Sequence, residues 1–287
     1  MTRQLSGTKY AFLKNRKKNS QYTLFLVLAS VLLAGCAHRI PLHRPLGREG
    51  EVRARELLAA IQQRQKIDAL DADVTVTWSG YGRKIHFRGG LQAVASGRFR
   101  LSALDPLGRP LFLLVVQEST FTFLDTRQGS GYTGPVDSDF LHRYIPASVT
   151  PAILFSLVTA RLPDMGLDKV SIGLGEREGS LWFTFPFGKN GRWLAEVDVA
   201  RGLVTRQLLV DGADNLVVDF YYNGYPAERT TSGKAESVTL PTLVRIEDGL
   251  LPGSTVVRLD RVYPDHDVPD SLFTLAVPRY FTILQVK

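Results

Sequence analysis

Hydrophobic and polar residues alternate along most of the chain, and a period of two predicts β-strands. Val74, Val76 and Trp78 fall on one side of the first such segment, whereas Thr75 and Thr77 fall on the other. Similar short segments follow at 85–87, 98–103, 111–116, 121–125, 170–174, 181–187, 193–199, 203–210, 216–222, 243–246 and 256–262. Strands this close together, separated by short turns, predict one continuous antiparallel sheet.

Three segments carry the helical period instead, at 49–67, 138–144 and 151–160. In the first, Val52, Leu58 and Ile61 contribute to an apolar stripe that needs a sheet to cover. The segment 223–238 is rich in Gly, Thr, Ser and charge and predicts a surface loop, whereas 269–286 has enough apolar residues to pack on the sheet. The overall pattern predicts a mainly β fold of the α+β class.

The N-terminal 35 residues differ from the rest and predict a signal peptide. Six Lys and Arg residues without an acid precede an uncharged stretch at 22–33, which is short for a membrane span. Leu33, Ala34, Gly35 and Cys36 then resemble the lipobox of bacterial lipoproteins, in which the cysteine thiol is acylated. The alternative is an uncleaved signal anchor with a buried cysteine. We expect a signal peptide at 1–35, a lipidated flexible tether at 36–48 and a single domain at 49–287.

Charge and cysteine content exclude several function classes. The net charge of +7 comes mostly from the leader, since its removal leaves 29 basic against 28 acidic residues. The remaining basic residues alternate with apolar ones, so nucleic acid is not an expected partner. Cys36 is the only cysteine, which excludes internal disulfides and thiolate metal clusters. The five histidines lack metal-ligand spacing, and no nucleophile elbow or dinucleotide loop occurs, so we expect no enzyme activity, no metal and no cofactor.

One stretch carries a family resemblance. Residues 98–114, RFRLSALDPLGRPLFLL, resemble the segment of the LolA/LolB superfamily of lipoprotein carriers in which an aromatic-Arg-Leu strand leads into an Asn/Asp-Pro-Leu-Gly loop. The lipobox makes the resemblance closest to the LolB branch, the outer-membrane lipoprotein receptors. The resemblance implies an incomplete, strongly curved antiparallel β-barrel with helices covering its open mouth and an apolar cavity for acyl chains.

The resemblance also assigns candidate site residues. Asp105, Pro106, Leu107 and Gly108 match the protruding loop whose leucine contacts the membrane, although Leu107 could instead fold back into the core. Candidates for the acyl cavity are apolar strand residues, each of which could equally be a core residue: Trp78, Phe87, Phe112, Leu114, Phe183, Phe185 and Trp193.

The implied function is that of a lipoprotein held on the periplasmic face of the bacterial outer membrane through acylated Cys36. It would bind the acyl chains of other lipoproteins and help to insert them into that membrane, receiving them from a soluble periplasmic LolA-like carrier. Two alternatives stay open: a structural lipoprotein that serves as a docking scaffold in an envelope complex, and a carrier of another hydrophobic ligand.

Overall fold

A computed structural model describes residues 40–41, 44–226, 239–248, 253–265 and 267–287. Residues 41–287 belong to one compact unit. The predicted signal peptide, Cys36 and most of the predicted loop at 223–238 lie outside the described residues. Two residues of the predicted tether, Arg44 and Pro45, form a short strand on the sheet, and Leu46 packs against the core.

The described chain is mostly β-structure, with fifteen strands in one sheet. The first seven are β1 (Arg44–Pro45), β2 (Ala69–Gly80), β3 (Arg83–Val94), β4 (Arg98–Leu104), β5 (Pro110–Gln117), β6 (Thr120–Asp125) and β7 (Ser130–Pro135). The others are β8 (Ser171–Leu174), β9 (Ser180–Phe187), β10 (Gly191–Asp198), β11 (Leu203–Val210), β12 (Leu216–Asn223), β13 (Leu243–Asp248), β14 (Ser254–Pro264) and β15 (Thr282–Gln285).

Few helices accompany the sheet. They are α1 (Arg48–Arg64), α2 (Asp139–His142) and α3 (Pro151–Val158), with short 3-10 helices at Leu167–Lys169 and Asp270–Phe273. In α1, Leu58 and Ile61 of the predicted stripe are buried together with Ala54. Val52 is exposed, so its assignment to the stripe was wrong. Pro151 occupies the first turn of α3, where its fixed φ fits the helix and its missing N–H is no loss.

The sheet is open. Its order is β1-β8-β9-β10-β11-β12-β13-β14-β2-β3-β4-β5-β6-β7-β15, so that β1 and β15 are its two edges among the described strands. The strands do not close into a barrel, and the expected incomplete barrel is observed only as an open, mainly antiparallel sheet. The pairing of β2 with β14 joins the strands before the helices to those after them.

One strand departs from the antiparallel prediction, because β15 pairs with β7 in parallel. The preceding 3-10 helix lies on the face of β4 and β5 that carries Val115, where Phe273 packs with it. We call this face the outer face. A parallel pair needs a crossover connection, and this segment provides it. The predicted packing of residues 269–286 on the sheet therefore takes the form of a crossover followed by an edge strand.

Candidate functional site

One face of the sheet carries all seven predicted cavity residues. A row of paired residues runs across it from Phe183 on β9 through Gln207, Phe220 and Ile246 to Trp78 on β2. Residues two positions away along each strand point to the same side, so Phe185, Trp193, Phe87, Phe112 and Leu114 share this face with them. We call it the inner face.

The inner face contains an apolar cavity of about 470 Å³. This volume is within the range of roughly 300–1,000 Å³ that is typical of small-molecule sites. The strands contribute Val74, Val76, Leu91, Phe99, Leu101, Leu114, Val116, Ile246, Thr255 and Val257. Of the predicted candidates, Leu114 lines the cavity.

A second wall comes from the helices and their connections. It consists of Val136, Asp137, Leu141, His142, Tyr144, Ile145, Pro146, Ala147, Val149, Thr150, Pro151, Leu154 and Val158. The polar side chains in this wall are few, so an apolar guest would meet mainly hydrocarbon. The helical pattern at 138–160 predicted apolar helix residues in this segment, but it did not predict that they lie over the strands.

A capping hydrogen bond and two long-range hydrogen bonds hold α3 and the segment directly after it in place. The Thr150 Oγ1 accepts a hydrogen bond from the backbone N–H of Ile153 at 3.4 Å and caps the helix. The Tyr222 hydroxyl on β12 donates to the Leu157 carbonyl at 2.6 Å, and the Gln207 Nε2 on β11 donates to the Arg161 carbonyl at 3.2 Å. Burial raises the pKa of Tyr222 well above its ordinary value, so this hydroxyl stays a donor.

Three predicted cavity residues instead belong to the solid core. Phe183 and Phe185 have 0% of their surface exposed, and Trp193 is buried as well. They lie in the same core cluster as Leu58 and Ile61 of α1. These three residues therefore do not line the cavity, and they pack among the chain's own side chains.

The other three, Trp78, Phe87 and Phe112, do not line the cavity either, although they are only partly buried. They lie further along the strands, toward the β2–β3 and β4–β5 turns. The Phe87 and Phe112 rings meet edge to face with centroids 5.1 Å apart, and Phe123 continues the row at 5.7 Å from Phe112. These aromatic residues thus cover the inner face between the cavity and the turns.

The β4–β5 turn places Leu107 in solvent, with 78% of its surface exposed. The Gly108 N–H donates to the Asp105 carbonyl at 2.9 Å, and Gly108 has a φ of +78°, which favours glycine. The Asp105 carboxylate accepts hydrogen bonds from the backbone N–H groups of Leu107 and Arg109, at 2.8 and 2.9 Å. The bond from the Arg109 backbone is the main cause of a lowered Asp105 pKa, opposed by desolvation. Pro106 occupies the turn position that suits its fixed φ.

Among the described residues, no three His, Cys, Asp or Glu side chains are arranged to hold a metal ion. In the same part of the chain, no helix combines the length and the apolar character needed to cross a bilayer.

Comparison with known proteins shows the fold but no family. A DUF1329 family protein from Desulfovibrio piger superposes with a TM-score of 0.50 at 11% sequence identity, over 78% of this chain and 96% of its own. A LolA superfamily protein from Nitrosomonas europaea gives 0.49 at 12% identity, over 76% and 97%. A putative outer membrane lipoprotein-sorting protein domain from Vibrio parahaemolyticus gives 0.48 at 9% identity, over 78% and 97%. No family model and no curated protein matches the sequence.

Proposed function

We propose that this protein binds acyl chains in the inner-face cavity and helps to insert lipoproteins into the bacterial outer membrane, as the resemblance to LolB implies. The observation that carries the proposal is the apolar cavity itself, with its wall of strands and its wall of helices. In this proposal the protein is a binding protein and not an enzyme.

The energetics of such a site follow from burial. Each methylene removed from water contributes about 0.8 kcal/mol, so an acyl chain is held without any specific polar contact. A chain that passes from one apolar cavity to another, or to a bilayer, keeps its burial throughout. Transfer then needs only a gradient of affinity from a LolA-like carrier through this protein to the membrane.

The helical wall acts as a cover in this proposal. The α2–α3 segment lines the cavity from the side opposite the strands. Tyr222 on β12 holds α3 itself, and Gln207 on β11 holds the segment that follows it. Leu107, on an exposed turn, is the residue that enters the bilayer when the acyl chains leave. The partly buried aromatic residues between the cavity and the turns provide apolar contact along the way.

Acylation of Cys36 would keep the protein at the membrane. Two or three acyl chains exceed what stable attachment requires, since a single chain gives only reversible binding. The periplasmic face of the outer membrane is the location that the resemblance implies.

The direct test is to fill the cavity. We expect Leu114→Trp to weaken the binding of a fluorescent fatty acid by at least about tenfold, because the indole occupies space that the guest needs. Leu113→Trp is the matched control: Leu113 is the preceding residue on the same strand and packs with the outer-face cluster, so the probe affinity should change by less than ~2-fold. Both variants are made in a chain that starts at Pro41, which contains the whole compact unit.

Mass spectrometry of the same purified chain for co-bound lipid completes the test. Bound acyl lipid that Leu114→Trp excludes supports the carrier. A chain that neither carries lipid nor binds the probe contradicts it and favours the docking scaffold. A carrier of another hydrophobic ligand would give a cavity that binds apolar probes without any defect in lipoprotein sorting when the protein is depleted from cells.

A further inference from the structure

The turns at one end of the sheet carry the most exposed large apolar side chains of the described residues. Tyr280 is 81% exposed, Leu107 78% and Tyr81 70%. Tyr81 forms the β2–β3 turn and Leu107 the β4–β5 turn, and these lie at the same end because successive hairpins alternate. Tyr280 closely precedes Thr282, which pairs with Ser130 directly after the β6–β7 turn at that end.

The β2–β3, β4–β5 and β6–β7 turns are neighbours. The rings of Phe87 and Phe112 connect the base of the β2–β3 hairpin to the start of β5. The Thr126 hydroxyl in the β6–β7 turn donates to the Leu111 carbonyl at 2.9 Å. A Cβ built on Gly82, Gly108 or Gly129 would meet nothing within 4 Å, so the turns project freely.

Exposed cations accompany these apolar side chains. They are Arg83, Lys84, Arg109, Arg127 and Arg279. We call these five residues, together with Tyr81, Leu107 and Tyr280, the tip surface.

The acids of the same turns are turned inward. The Asp105 and Asp125 side chains are largely covered, and each accepts backbone hydrogen bonds within its own turn. They pair with Arg109 and Arg127, which themselves stay exposed. Arg83 and Lys84 have no ion-pair partner among the described residues, so the surface presents positive charge.

The backbone at Tyr81 adds a second indication. Tyr81 has a φ of +48° in a two-residue turn closed by the pair of Gly80 with Arg83. Asn, Asp or Gly is preferred there, so an exposed tyrosine at this position carries a local cost. Tyrosine is also a residue that favours the boundary between lipid and water.

We propose that the tip surface docks on a bilayer that contains anionic lipid headgroups. Its cations attract the headgroups, and Tyr81, Leu107 and Tyr280 enter the interface between them. The proposal deepens the proposed function, because it names the lipid chemistry that Leu107 meets and adds Tyr81 and Tyr280 to the contact. It rests on the turns rather than on the cavity. An experiment can therefore contradict docking on anionic lipid without contradicting acyl-chain binding, and the reverse.

The test uses the chain that starts at Pro41, which has no lipid anchor, and co-sedimentation with vesicles. We expect binding to vesicles of two-thirds phosphatidylcholine and one-third phosphatidylglycerol, but little binding to phosphatidylcholine alone, and weaker binding at higher salt. Arg83→Glu/Lys84→Glu should weaken binding to the anionic vesicles by at least about tenfold. Fatty acid probe binding to this variant, measured without vesicles, should not change.

Arg53→Glu/Lys66→Glu is the matched control, because both residues are exposed on or just after α1 and the change in net charge is identical. This control should bind the anionic vesicles like the unmodified chain. An equal loss of vesicle binding in both variants would show that only net charge matters and would overturn the proposal. Equal binding of the unmodified chain to neutral and anionic vesicles, or no binding to anionic vesicles, would overturn it as well. Vesicle binding by a chain that fails to bind the probe would support the tip surface while contradicting the acyl cavity.

Discussion

The inner face has the same alternating strand pattern at β9–β12 as at β2–β5, but the two regions are packed differently. At β9–β12, Phe183, Phe185 and Leu209 are buried in one core with residues of α1. The Gln65 side chain of the segment after α1 donates to the Ala160 carbonyl at 2.9 Å and accepts from the Leu162 N–H at 3.0 Å, which fixes this covering layer. At β2–β5 the strands face a cavity. Phe99 is buried there, whereas Trp78, Phe87 and Phe112 are only partly buried.

The difference shows that the elements packed over the strands decide whether the space above them is a filled core or a cavity. A long amphipathic helix such as α1 offers a regular stripe of large side chains, which can fill the space above a sheet. The short helices α2 and α3, separated by a turn that contains Pro146, form an irregular cover and leave a cavity. In the proposed function the β2–β5 part is the site, and the β9–β12 part is the packed core beside it.

The largest expected effect on the free energy of unfolding comes from replacing one phenylalanine by alanine in each region. Phe185→Ala should lower the free energy of unfolding by about 4 kcal/mol, because a fully buried ring is replaced by a void. Phe112→Ala should cost only about 1–2 kcal/mol, since the ring is partly exposed and loses mainly its contacts with Phe87 and Phe123. Urea unfolding of both variants measures the difference, and equal losses would show that the β2–β5 region is as solid as β9–β12.

The outer faces of the two regions differ as well. Asp219 on β12 is 0% exposed, and its carboxylate accepts hydrogen bonds from the Arg206 Nε and Nη2 at 2.8 and 2.6 Å and from the Tyr221 hydroxyl at 2.9 Å. Burial, together with the charge of Asp219, raises the pKa of Tyr221 to about 12, so the tyrosine remains a donor at neutral pH. On β2, Asp73 pairs with Arg261 at an exposed site.

Removing the Asp219 carboxylate should therefore lower the free energy of unfolding more than removing the Asp73 carboxylate. Asp219→Ala leaves a partly buried guanidinium without its partner and should cost about 3 kcal/mol. Asp73→Ala removes an exposed pair and should cost less than ~1 kcal/mol. Thermal and urea unfolding give both values. A small loss for Asp219→Ala would mean that water reaches this cluster and that the β9–β12 region is looser than its packing indicates.

Strand pattern predicted most of the sheet, because alternation is a local property. The prediction of 203–210 matches β11, and 49–67 overlaps α1 at Arg48–Arg64. The strand β7 was missed because its glycines lower strand propensity. At Gly131 a Cβ would lie 2.4 Å from the Phe123 carbonyl oxygen, so glycine is needed there by the neighbouring strand, which a local pattern does not reveal.

The cavity could be predicted only in part. Phe185 and Phe112 occupy equivalent positions in alternating strands, and their different burial depends on helices far away in the sequence. The Asp-Pro-Leu-Gly turn is different, because hydrogen bonds within five residues position Leu107 in solvent. Turn chemistry was therefore readable from the sequence, whereas the allocation of strand residues to core or cavity required the packed structure.

The smallest expected effect on stability, and a specific one on function, belongs to Leu107→Glu. The side chain is exposed and its turn is held by Asp105, so the free energy of unfolding should change by less than about 0.5 kcal/mol. A carboxylate cannot enter the bilayer as leucine can, so cargo lipoproteins should fail to reach the outer membrane in cells that depend on this variant. Membrane fractionation measures the cargo, with Val52→Glu on the exposed side of α1 as the control. Normal delivery of cargo lipoproteins by Leu107→Glu would show that Leu107 is not needed for membrane insertion. The cavity of the β2–β5 region could then still bind acyl chains, but the proposed role of Leu107 would be wrong.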